Sequence, residues 1–213
     1  FFAHSNKHVL ADERVQVFIN DGRHHLLQQP PGRFDLITLE PPPLATAGVS
    51  SLYTREFYDL ARTRMSDRGI ISQWLPAYQV PSEAVLSLIR AFVDAFPHAI
   101  LLVGSGRELM LLGSMSPMTL DPATLRPEPG PLATDLVEIG LGTAREIAST
   151  FGADGAHLRS IASQSQPVTD DRPVLDTAQH SHVMQTDLPA GLLEPAGISS
   201  WCPSCLADPT LAR

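Results

Sequence analysis

The chain has 213 residues, 43% of them hydrophobic, which is enough material for one sizeable core with additional segments. Its 15 basic and 23 acidic residues give a net charge of −8, so a nucleic-acid backbone is excluded as a natural partner, whereas a cationic small molecule is compatible. Two cysteines, Cys202 and Cys205, cannot build a disulfide framework, and no apolar run reaches the roughly 20 residues of a membrane span.

In chain order, residues 1–11 read as the end of a helix with Phe1, Phe2, Val9 and Leu10 as its apolar positions. Residues 14–19, RVQVFI, alternate and are β-branched, which predicts a strand; Asn20-Asp21-Gly22 then turns into a short helix over 23–29. The breaker Pro30-Pro31-Gly32 precedes a short apolar run over 34–39, FDLITL, with the character of a fully buried strand. Glu40 follows at once, then three prolines and a loop of small residues. Thr54 is an N-cap for a helix to Met65, whose Phe57, Leu60, Ala61 and Met65 fall at helical spacing. Residues 67–69 turn into an apolar strand over 70–75, and Ser82 caps a helix to Phe96 with Glu83 in its first turn.

Residues 99–103 and 108–112 flank Gly104-Ser105-Gly106-Arg107, a hairpin signal with no helix between the strands. Strand–helix alternation closed by such a hairpin predicts an α/β fold with a mostly parallel sheet and a C-terminal antiparallel pair. Residues 1–115 form this domain. Residues 116–176 form a connection with prolines at 117, 122, 127, 129 and 131, followed by a helical extension. Within it, 132–151 is helical in two pieces broken near 140–142, 156–162 is a short helix, and 168–175, VTDDRPVL, is extended. Residues 177–213 are polar and Gly/Pro-rich, and read as a flexible tail.

Ligands of open α/β sheets bind beyond the carboxyl ends of the strands, which makes Glu40 a site candidate. The bland reading is a strand-end carboxylate facing water. Likewise Asp21 and Gly22 suit a ring with an exocyclic amine, since the carboxylate accepts and glycine admits a close approach; the same residues describe a turn closing a strand. The eight histidines show no metal spacing, and no metal is expected. Trp201 to Cys205, WCPSC, has the cysteine spacing of a redox motif but lies eight residues from the end of the sequence; half a zinc site and a tail disulfide are the other readings.

The sequence resembles the polyamine aminopropyltransferases, or spermidine synthases, and among them the bacterial spermidine-synthase-like proteins fused to membrane segments. The carriers are Asp12-Glu13-Arg14-Val15 leading to Asp21-Gly22-Arg23, then FDLITLEPPP, LYTREFYDLA over 52–61, GIISQWLP over 69–76 and Thr169-Asp170-Asp171-Arg172-Pro173. The resemblance implies a Rossmann-like S-adenosylmethionine-dependent transferase fold with strand order three, two, one, four, five, seven, six. Its activity is transfer of an aminopropyl group from decarboxylated S-adenosylmethionine to a diamine such as putrescine. The nucleoside is a co-substrate, and nothing is bound permanently.

By position the resemblance places adenine at Asp21 and Gly22, the proton-accepting carboxylate at Glu40, and the amine substrate beside Tyr53 and Gln73. Tyr53 also reads as an ordinary half-buried aromatic at a helix start. Asp170 and Asp171 add negative potential, or are simply a surface acidic pair. The chain departs from the family in two places: Pro41 to Pro43 stand where a second acid belongs, and Leu75 stands for a glutamate. The first two strands and the Gly-rich turn of the cofactor fold are absent from these residues, so the expectation is a fragment of a longer gene product. A homodimer and fusion to a membrane segment outside this chain fit the resemblance, as does a cytoplasmic location tethered through such a segment. Two other functions remain open: another S-adenosylmethionine-dependent transferase, and a non-catalytic binding domain of the same fold.

Overall fold

The computed structural model describes residues 6–44, 46–104, 108–121, 130–175 and 187–204. Five strands form one sheet: β1 (Phe34–Leu39), β2 (Met65–Leu75), β3 (His98–Val103), β4 (Leu109–Ser114) and β5 (Phe151–Asp154). Their spatial order is β1-β2-β4-β3-β5. The first four reproduce the four, five, seven, six end of the expected order. Only β1 and β2 run parallel; β2–β4, β3–β4 and β3–β5 are antiparallel, so the expected mostly parallel sheet is corrected to a mostly antiparallel one. The cause lies in connectivity. A parallel pair needs a crossover, which the helix after β1 supplies, whereas the stretch between β3 and β4 is too short for one and leaves antiparallel pairing; the predicted turn itself includes 105–107, outside the described residues.

The strand predicted over 14–19 does not form. Residues 15–19 have no regular structure and no ladder partner, and Val17, Phe18 and Ile19 are exposed. Strand propensity supplies no stability without a neighbour to pair with. The helices follow the sequence more closely: α1 (Gly22–Leu27), α2 (Arg55–Arg64) and α3 (Ser82–Ala95) precede the hairpin. Thr54 caps α2 by accepting from the Phe57 N–H at 3.3 Å. The cap of α3 is instead Pro81, with Ser82 already inside the first turn, a correction of one residue.

One face of the sheet carries the main core. Phe57, Tyr58, Leu88, Ile89, Phe92 and Phe96 of the helices are buried against Ile71, Leu101 and Leu111. Their rings meet edge-on, Tyr58 to Phe92 at 5.1 Å and Tyr58 to Phe96 at 6.2 Å. Gly113 is needed here, because a Cβ on it would lie 2.7 Å from the Phe92 ring and 2.8 Å from that of Phe96.

The C-terminal part adds α4 (Pro131–Glu138), α5 (Ala144–Ser149), α6 (Gly155–Ile161) and a last turn α7 (Ile198–Trp201). Thr143 and Glu146 form a reciprocal capping box at α5. Within the expected tail, Leu192 is buried in the main core, whereas Trp201 and Cys202 pack with the cluster on the second face of the sheet. Trp201 stacks on Phe151 at 5.5 Å, and buried Cys202 joins the same cluster with Ile100. Among the described residues no helix is long and apolar enough to cross a membrane.

Candidate active site at the carboxyl ends of the first two strands

The parallel register sets Leu39 beside Gln73, so the loops leaving β1 and β2 start side by side. This is the crevice where a doubly wound sheet binds ligands. Glu40 stands directly past β1 and is exposed, while the next residue, Pro41, is buried. The loop then folds back over the end of β2. Leu44 is buried, and its N–H donates to Gln79 Oε1 at 3.1 Å, tying the two loops together. At Gly48 the chain takes φ +83°, a conformation that favours glycine, and enters a 3-10 turn over Val49–Leu52.

That turn delivers Tyr53 into the interior, with none of its surface exposed. Gln73, also fully buried, donates from Nε2 to the Trp74 carbonyl at 3.2 Å. Tyr53 Oη and Gln73 Oε1 are both buried and both lack a hydrogen-bond partner. Burial raises the Tyr53 phenol well above its usual value, and the Gln73 amide offsets a little of that rise. The amide is therefore close to the hydroxyl, although no hydrogen bond closes between them. Beside them Trp74 and Tyr78 meet edge-on at 5.9 Å, and the Trp74 indole N–H donates to the Glu108 carboxylate.

On the α1 side Asp21 is the N-cap: its Oδ1 accepts from the His24 N–H at 2.7 Å. One carboxylate oxygen thus caps a helix and closes no strand, since residues 14–19 form none. Gly22 borders open space, since a Cβ there would meet nothing within 4 Å. A cavity of about 280 Å³ opens here between α1 and β1, lined among others by Gly22, His25, Leu26, Ile37, Leu39 and Phe57. A larger, mostly apolar cavity of about 380 Å³ lies elsewhere, on the second face of the sheet, and contains none of the predicted site residues.

The structure thus brings Tyr53 together with Gln73, and Gly22 together with the strand that ends at Glu40. Asp170 is not a source of free negative potential. Arg23 grips both of its carboxylate oxygens, at 2.8 and 2.6 Å, and holds that carboxyl below its usual value. No local pattern announces this pairing, because the partners are 147 residues apart. Cys202 is disulfide-bonded and Cys205 lies outside the described residues. No group of three or more His, Cys, Asp or Glu side chains among the described residues could hold a metal ion.

Solved structures share this architecture. A spermidine synthase from Thermotoga maritima is 16% identical with a TM-score of 0.54, over 72% of this chain and 51% of that one. A probable spermidine synthase from Corynebacterium glutamicum is 14% identical, TM-score 0.53, over 79% and 59%. A spermidine synthase in complex with the transition-state analogue AdoDATO is 17% identical, TM-score 0.52, over 68% and 48%. The chain has a spermidine synthase fold. It spans about half the length of these spermidine synthases. No protein-family model matches the sequence, and neither does any curated protein.

Proposed function

We propose that the chain is an aminopropyltransferase domain of the spermidine synthase type, acting on decarboxylated S-adenosylmethionine and a diamine such as putrescine. One observation carries this reading. Tyr53 Oη and Gln73 Oε1 are buried without partners at the carboxyl ends of β1 and β2, in a fold shared with spermidine synthases. A buried polar group left unsatisfied costs roughly 1–3 kcal/mol. An amine relieves both costs at once, because its N–H donates to Gln73 Oε1 and it can also hydrogen-bond the Tyr53 hydroxyl.

In this reading adenine lies beside Gly22, and its exocyclic amine donates to the Asp21 oxygen that His24 does not engage. Glu40 orients the attacking ammonium and takes one of its protons. The freed lone pair forms the new N–C bond at the propyl carbon next to the sulfonium. The C–S bond breaks, its electron pair stays on sulfur, and methylthioadenosine leaves. Holding nitrogen and carbon in line is the main contribution of the protein scaffold.

A specific feature favours a second reading. Pro41 to Pro43 and Leu75 occupy the two positions where the resemblance puts acids, which suits a related S-adenosylmethionine-dependent transferase with a less charged acceptor. An assay of the full-length gene product with radiolabelled decarboxylated S-adenosylmethionine tests both. Methylthioadenosine release that requires putrescine supports the first reading; release with a monoamine but not putrescine supports the second; no release with any amine removes the first, and no group transfer from labelled S-adenosylmethionine in a parallel assay removes the second as well.

A further inference from the structure

Residues 168–172 cross the surface as a strap that touches both loops of the candidate site. Arg23, immediately after Gly22, donates from Nη1 and Nη2 to the two oxygens of Asp170. Its Nη1 also donates to the carbonyl of Ser51 at 3.1 Å, two residues before Tyr53. From the other side the Arg55 N–H donates to the Val168 carbonyl at 2.9 Å, and the Asp170 N–H donates to Glu56 Oε2 at 3.0 Å. Val168 at its start and Leu175, three residues past its end, are fully buried and anchor the strap. One guanidinium therefore joins three segments that are remote in sequence: the Asp21-Gly22 turn, the loop delivering Tyr53, and the strap. Arginine suits this role because its planar fork fixes direction as well as charge.

We propose that Arg23 and Asp170 form a positioning clamp, which sets the spacing between the Gly22 cavity and the Tyr53 loop without either residue touching substrate. The link to catalysis rests on the reading of the site given above; the mechanical claim does not. Both side chains are partly exposed, 23% for Arg23 and 39% for Asp170, and pairs of that kind contribute little to global stability. The effect of breaking this one is therefore local.

The test is amide hydrogen exchange on the full-length gene product, for Asp170→Asn, Arg23→Gln and the reciprocal pair Arg23→Asp with Asp170→Arg. Each single change should speed exchange over 21–25 and 48–54 by about two- to fivefold, leave α3 and β4 unchanged, and be substantially restored in the reciprocal pair. The affinity for methylthioadenosine should fall and recover in step. Unchanged exchange in the two loops overturns the clamp, and so does a uniform rise that includes α3 and β4, which would mark a general stability effect. If the loops respond as expected but the unsubstituted protein binds no nucleoside, the clamp is upheld and the transferase reading is what fails.

Discussion

Replacing Tyr53 by phenylalanine removes a single atom whose burial is unexplained by the fold. The ring stays in the core, fully enclosed, and only the unpartnered hydroxyl is lost. At most buried sites deleting a tyrosine hydroxyl breaks a hydrogen bond and costs stability. Here no bond is broken, and the desolvation penalty of the orphan group, roughly 1–3 kcal/mol, is recovered. For a chain of this size each kcal/mol moves the unfolding midpoint by about 2–4 °C, so Tyr53→Phe should raise Tm by at least about 2 °C in a calorimetric scan. The same change should weaken diamine binding about two- to tenfold, the net worth of one hydrogen bond. A lowered Tm would show that the hydroxyl is satisfied in the folded protein. A raised Tm with undiminished diamine affinity would show that the hydroxyl does not serve the amine. Either result refutes the reasoning that makes Tyr53 a substrate contact.

Further outcomes follow from other residues. Glu40→Gln in the full-length gene product should lower transfer by about 10²–10⁴-fold while leaving the affinity for methylthioadenosine nearly unchanged, as isothermal titration would report. Gly113→Ala should destabilise by about 1–3 kcal/mol in denaturant unfolding, because the added methyl overlaps the Phe92 and Phe96 rings. Asp170 has its carboxyl lowered by Arg23, so its share of stability is present above the unfolded value near 3.8 and is lost as pH falls through the folded one. The pair is partly exposed and its contribution small, so stability profiles below about pH 4 should be only slightly flatter for Asp170→Asn than for the unsubstituted protein.

The parts of the fold readable from sequence are those fixed by local chemistry. The run over 34–39 declares a strand, and the Thr54 cap with Phe57 and Ala61 on one helix face declares a helix, within a few residues; the full burial expected of 34–39 is corrected, because β1 is the edge of the described sheet and Leu36 is exposed. What failed to read depends on partners. Residues 14–19 carry a strand pattern, but pairing is a property of two segments, and no described segment lies alongside them. The strand β5, only four residues, hides at the end of a helical-looking stretch and is defined by its pairing with Leu101 and Leu102. In the site, the residue types of Tyr53 and Gln73 were legible, but their complete burial and shared lack of partners were not. Arg23 was legible only as part of the Asp21-Gly22-Arg23 run and not as a clamp, since the carboxylate that gives it that role lies 147 residues away along the chain, in the TDDRP segment.

The central claim is that the ends of β1 and β2 form a pocket for a nucleoside and an amine. It is tested most directly by calorimetric titration of the full-length gene product with methylthioadenosine, followed by putrescine. The account predicts saturable binding of the nucleoside and then of the diamine, both weakened when Asp21 is replaced by alanine and only the second when Tyr53 is replaced by phenylalanine. Heat of dilution alone in both titrations would contradict it.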